Sequence, residues 1–256
     1  MFSKLLKYEF QSIGKWYLLT NLVMIIASTL LGFAVKPTIE QYSPSSYPYV
    51  SNDPYSLFLV VITLILIGLV FFSIFATLFI IVRRFYTNVY GKQGYLTLTL
   101  PVSSHQIIFS KLLAAVICQI FNYAIIGFSI ILFSTTALGL GKTLSVLPQV
   151  IEFLKLDHSD ILLYLFSDLL GLFSSVLVIY LAISIGQLFS DRRGLLAFVF
   201  YLLINLGLFI IGLVISHQID DNFTQYLLVR LIAAIVISII SYFATNYIMT
   251  HKLNIQ

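Results

Sequence analysis

Apolar residues run through this chain in six long blocks, and the polar residues collect between the blocks instead of alternating with them. Unbroken apolar runs of about twenty residues predict membrane-spanning helices, whereas a membrane barrel would show short alternating strands. The blocks predict spans at 17–35, 57–82, 112–138, 169–189, 195–215 and 227–249. The first sixteen residues follow a different rhythm. At 100° per residue Lys4, Lys7, Gln11 and Lys15 share one face, and Phe2, Leu5, Leu6, Phe10, Ile13 and Trp16 share the other. That pattern predicts an amphipathic helix lying in the membrane interface ahead of the first span. A cleaved signal is not expected, because Ala34-Val35-Lys36-Pro37 offers no good small-x-small site. Glu9 is the misfit of this helix, since it projects from the apolar face.

Composition sharpens the class. Hydrophobic residues make up 60% of the 256 and charged ones only 9%, with mean hydropathy +1.02. Soluble domains carry about a quarter charged residues, so an all-α membrane protein built as a single transmembrane domain is expected. Orientation follows from the cations. An N-terminus on the cytoplasmic side puts Lys4, Lys7, Lys15, Arg83, Arg84, Lys92, Lys111, Arg192, Arg193 and Lys252 inside. Of the 14 Lys and Arg, that leaves Lys36, Lys142, Lys155 and Arg230 outside or near the outer face. Short cytoplasmic loops retain positive charge, so both termini are expected inside. The segment 36–56, with Pro37, Pro44, Pro48 and Pro54, then reads as an irregular outer loop, and 139–168 as a second outer loop holding a short amphipathic helix near 144–156.

Enzymatic chemistry finds no support. Gly139-Leu-Gly-Lys-Thr143 ends like a phosphate-binding loop but lacks the first glycine of that motif, since Thr136 stands where it is needed, with four residues between it and the Gly-Lys pair. His105, His158, His217 and His251 are scattered, without the spacing of a metal site. No catalytic residue, metal ligand or cofactor is expected in this chain, and no nucleic-acid partner. The spans are also nearly bare of charge, which counts against an ion-driven carrier. Asp168 and Arg230 are expected at helix ends. The amides Gln119, Asn122, Gln187 and Asn205 are read first as helix-to-helix hydrogen-bonding groups.

The loop 83–111 is the exception to this plainness. It carries Arg83, Arg84, Lys92 and Lys111 with no acidic residue. Tyr90 and Tyr95 bracket the turn-forming Gly91 and Gly94, so rings are expected to project outward from a sharp bend. Leu100 and Pro101 end an alternating stretch, and Ser103 or Ser104 is placed to cap the helix that follows. A basic loop anchored on anionic membrane lipids is the simplest reading of this composition.

The order of residues points further. GYLTLTLPVS from Gly94, followed by IIFSKL up to Leu112, resembles the loop between the second and third spans of ABC-2 type export permeases. Six spans and an amphipathic N-terminal helix are similar to that family's architecture over the whole chain. The resemblance implies a coupling element at Tyr90, Gly91, Gly94, Tyr95, Leu100, Pro101 and Ser103 that docks on a separate ABC ATPase subunit. It implies ATP and Mg on that partner, none here, and a second permease subunit, identical or similar. The family's re-entrant hairpin between the last two spans has little room, since only 216–226 is free for it.

The resulting expectation is the permease subunit of an ATP-driven exporter of an amphiphilic or hydrophobic substrate, whether lipid, peptide or drug. The alternative is a non-transporting immunity or scaffold protein that binds a membrane-active peptide. Glu9 adds a structural expectation: a carboxylate on an apolar face needs a partner, and Arg83 or Arg84 at the end of the second span would supply one.

Overall fold

The computed structural model describes residues 2–41, 54–91, 103–153, 158–189, 192–218 and 223–251. Among these the chain is helical and contains no strand. The helices are α1 Phe2–Gln41, α2 Pro54–Phe85, α3 Ser104–Leu138, α4 Leu140–Phe153, α5 His158–Gly186, α6 Arg193–Gln218 and α7 Phe223–His251, and a π turn, Tyr86–Tyr90, follows α2. Six segments are long and apolar enough to cross a membrane: Gly14–Ile39, Leu57–Tyr90, Ser104–Leu138, Asp160–Gly186, Arg193–Ile215 and Phe223–His251. The chain is thus consistent with a multi-pass membrane protein. A helix is the natural form for such runs, because it satisfies every backbone polar group within the segment.

Local chemistry explains where these helices break. Gly14 interrupts α1 with φ 71° and ψ −174°, a region essentially closed to residues with a side chain. The break separates the amphipathic stretch from the first apolar block. Beyond that block α1 continues through Pro37 to Gln41, where an irregular loop was expected. Val35, Thr38 and Ile39 hold that last turn: Val35 and Thr38 are buried, and Ile39 packs on the cluster of Val35, Ile62 and Ala137. Pro54 opens α2, where its missing N–H costs nothing. Pro44 and Pro48 lie outside the described residues. Gly139, with φ 87°, ends α3, and its N–H is bonded to the Thr135 carbonyl at 3.0 Å. The phosphate-loop lookalike is therefore the joint between α3 and α4.

The largest correction concerns the fourth span. It begins at Asp160, not at residue 169. Asp168 and Arg230, expected at helix ends, instead lie within α5 and α7 and pair with each other, Arg230 Nη2 to Asp168 Oδ1, at 2.7 Å. Two carboxylates in the stretch 160–168 made it look like a loop; with the inner one paired, its apolar neighbours continue the helix. Between α6 and α7 four residues intervene, 219–222, so the described residues contain no re-entrant hairpin.

The chain folds as two compact units, each made of separate stretches of sequence. One comprises Ile13–Phe79 and Cys118–Lys155. Its interior is partly polar. Asn122 Nδ2 donates to Asn21 Oδ1 at 3.0 Å and to Ser73 Oγ at 2.7 Å, and the Tyr17 hydroxyl donates to the Cys118 carbonyl at 2.7 Å, all buried. These bonds join α1, α2 and α3 where no hydrophobic force acts between helices in lipid. Packing there is tight at Gly32, where a Cβ would lie 1.8 Å from Thr136 Oγ1. Asn122 thus takes the helix-bridging role expected of it. Asn205 instead donates to the Tyr201 carbonyl of its own helix at 2.8 Å. Gln119 Oε1 and Gln187 Nε2 are buried without a partner among the described residues.

Candidate functional site

The other unit, Met1–Ser12, Ile80–Ile117 and Leu156–Gln256, contains both stems of the loop singled out above. Its centre is Glu9. One carboxylate oxygen meets Arg84 Nη2 at 2.9 Å and the other meets Lys111 Nζ at 2.6 Å. Arg84 Nη1 also donates to the Glu9 backbone carbonyl. Little of this cluster reaches solvent: the side chains of Glu9, Arg84 and Lys111 are 14%, 15% and 5% exposed.

Helix phase selects these partners. Successive residues on a helix point 100° apart, so Arg83 and Arg84 cannot both face Glu9; Arg84 does, and Arg83 is exposed. Lys111, not expected in the cluster, lies in α3 beside the buried Ser110 and Leu112. Its ammonium would be costly to bury there without a carboxylate. The site therefore ties α1, α2 and α3 through a single acidic group. The residues carry a net charge of one positive unit, so Glu9 is the member whose loss leaves two cations facing each other.

Aromatic packing fixes the stem that enters the loop. Phe85, the last residue of α2, is fully buried and stacks on Tyr180 of α5, with centroids 3.8 Å apart and planes at 8°. Tyr90 closes the π turn, sets its ring edge-on to Phe85 at 6.0 Å, and donates its hydroxyl to Ser184 Oγ at 2.7 Å. Ser184 passes the bond on to the Tyr180 carbonyl at 2.7 Å. Tyr90 is thus turned into the fold, contrary to the expectation of a ring projecting outward from the loop. A π turn has one residue more than an α turn, and that extra residue rotates Tyr90 toward α5. Gly91 ends the turn, its N–H bonded to the Tyr86 carbonyl at 2.9 Å.

The exit stem is held by hydrogen bonds. Ser103 caps α3: its carbonyl accepts from the N–H groups of Gln106 and Ile107 at 3.0 and 3.2 Å, and its hydroxyl lies 3.4 Å from the Gln106 nitrogen. Ser104 Oγ then donates to Asn246 Oδ1 at 3.0 Å, and His105 Nδ1 lies 2.6 Å from the Tyr242 hydroxyl, both on α7. The entering stem is therefore fastened to α5, the leaving stem to α7, and both to Glu9. Gly94, Tyr95, Leu100 and Pro101 lie outside the described residues, as does Lys92.

Sequence reasoning missed Lys111, Phe85, Tyr180, Ser184, Tyr242 and Asn246 as parts of this arrangement. A weak signal existed for some of them: a tyrosine inside an apolar run needs a partner for its hydroxyl. The described residues gather no group of three His, Cys, Asp or Glu able to hold a metal ion. What the arrangement can do is mechanical. Both stems of the loop are fastened by fixed contacts, to α1 through Glu9, to α5 through Ser184 and to α7 through Asn246.

No family model, no curated protein and no solved structure matches this chain.

Proposed function

We propose that this chain is the membrane-spanning permease subunit of an ATP-driven ABC exporter in a bacterial cytoplasmic membrane, with both termini inside. The observation that carries the reading is the 83–111 loop: a family-like sequence from Gly94 to Leu112, set between two stems that are each bonded to other helices. An ABC ATPase subunit, with its own ATP and Mg, docks on the loop at Tyr95, Leu100 and Pro101. Gly91 and Gly94 shape it, and Ser103 starts the helix that receives the push. Tyr90 acts as an anchor of the loop to α5 and not as a contact surface. Closure of the ATPases shifts the loop, and the stems pass the movement to α2, α3, α5 and α7, switching the permease between inward- and outward-facing states. A second permease subunit, identical or similar, completes the pore, and an amphiphilic or hydrophobic substrate passes through it.

The test is biochemical. A soluble ATPase co-purifies with this chain in mild detergent, and Tyr95→Ala weakens that association about tenfold, as removal of an aromatic interface anchor does. Purification with no ATPase, or an unchanged association in Tyr95→Ala, would leave the immunity or scaffold reading in its place.

Orientation is tested separately. In a Cys118→Ala background, single cysteines at Ser46 and Ser159 react with a membrane-impermeant maleimide in intact cells, while a reporter after Gln256 stays inside. Labelling only after permeabilisation would move the loop to the wrong face for an ATPase.

A further inference from the structure

A groove of about 460 Å³ runs between α5, α6 and α7. Pockets of about 300–1,000 Å³ hold ligand-sized molecules. Its walls are apolar and its depth comes from small residues: Gly171 on α5, Gly212 on α6, Ala233 and Ala234 on α7. Along α7 it extends from Tyr226 to Ile237, roughly 16 Å at 1.5 Å per residue. An apolar groove of this kind in a membrane does not fill with water, and left empty its lining forfeits contacts on one side.

One wall of the groove carries a charge. Arg230 lines it, and a Cβ on Gly171 would lie 3.9 Å from Arg230 Nη2, so the guanidinium rests over bare backbone. Its Cζ stands 5.8 Å from the centre of the Tyr164 ring. Asp168, one helical turn before Gly171, pairs with it through Oδ1. Neither partner is sealed off: the side chains are 36% and 46% exposed. Arg230 spends one nitrogen on Asp168 and Asp168 one oxygen on Arg230, which leaves donors on the guanidinium and a second carboxylate oxygen for a ligand. Ionisable groups inside spans are costly and rare.

We infer that this groove holds one phospholipid with a zwitterionic phosphate–ammonium headgroup. The phosphate lies against Arg230, the ammonium against Asp168, and an acyl chain fills the groove toward Ile237. Charge complementarity selects this occupant. Arg230 in the lining and Asp168 paired beside it present a cation and an anion side by side, so a purely anionic head would meet the Asp168 carboxylate, and an uncharged one would satisfy neither group. The inference does not depend on an ATPase partner or on transport.

The test uses the full chain in nanodiscs of defined composition, with photoreactive acyl-chain probes of phosphatidylethanolamine, phosphatidylglycerol and diacylglycerol. Phosphatidylethanolamine is expected to crosslink to the groove at least tenfold more than either of the others. Gly212→Trp should abolish crosslinking at the groove. Gly212 lines the groove and nothing lies within 4 Å of a Cβ there, so a side chain at this position starts into open space. Arg230→Gln with Asp168→Asn should erase the headgroup preference while leaving the acyl chain able to enter. Equal crosslinking by phosphatidylglycerol or diacylglycerol overturns the inference, as does unchanged crosslinking in Gly212→Trp. So does a probe-independent crosslink to a second copy of the chain.

Discussion

Glu9→Gln is expected to be the most damaging single substitution in the described part of this chain. The amide keeps the shape of the carboxylate but removes the negative charge that meets both Arg84 and Lys111. Breaking a buried ion pair by removing one partner costs about 3–5 kcal/mol. Here the lower end applies, because Glu9 and Arg84 keep some contact with solvent. Thermal unfolding in detergent, followed by fluorescence or by loss of the monodisperse peak, should show a large drop. The asymmetry of the cost provides the control. Lys111→Met in the Glu9→Gln background removes the cation that was stranded deepest, 5% exposed in the parent, and should recover part of the lost stability. Arg83→Gln, which changes a cation outside the cluster, should behave like the parent. If Glu9→Gln and Arg83→Gln are equally mild, the three-helix tie does not contribute to stability.

Gly91→Val is expected to open the entering stem of the loop. Gly91 has φ −87° and ψ −169°, an extended conformation that any residue adopts, so backbone strain is not the reason for a glycine. Close approach is: a Cβ there would lie 2.7 Å from the Thr87 carbonyl oxygen and 3.0 Å from the Thr87 Cα. The obstacle is backbone, and it cannot swing aside without losing the Gly91 to Tyr86 hydrogen bond that closes the π turn. Overpacking of this kind costs about 1–3 kcal/mol, which corresponds to roughly a 5- to 150-fold larger open population. Limited trypsin digestion reads this directly as faster cleavage after Lys92. Under the proposed function, transport-stimulated ATP hydrolysis in proteoliposomes should fall in parallel, because Tyr90 no longer holds the loop to Ser184. Gly194→Ala is the matched control, since nothing lies within 4 Å of its Cβ position. Parent-like cleavage in Gly91→Val would show that the turn tolerates a side chain.

These two substitutions act on the same device from opposite sides. Glu9 holds the two stems to α1, and the Tyr90–Ser184 bond holds the entering stem to α5. Under the proposed function these stems would carry a push on the loop to the helices, because force reaches a helix only through contacts that do not give.

Much of the fold was legible without coordinates. In a hydrocarbon layer, segment length and backbone satisfaction are local requirements, so six apolar runs translate into six helices whatever they pack against. The cap at Ser103 and the turn at Gly91 lie where punctuating residues stand in the chain, whereas the break at Gly14 came only with the structure. The end of α1 and the start of α5 were not legible, because Pro37 and Asp168 are local breakers overruled by distant partners. The pairing of side chains was also out of reach. Glu9 meets Arg84 across 75 residues and Lys111 across 102, and a single step along the helix would have presented Arg83 instead. The inward turn of Tyr90 depended on Ser184, 94 residues away, and the Arg230–Asp168 pair on how α5 and α7 are rotated about their axes. Apolar runs and turn residues act on their own neighbours, so sequence alone determines them. Which charged and aromatic groups meet depends on helix rotation, which only packing of the whole unit decides.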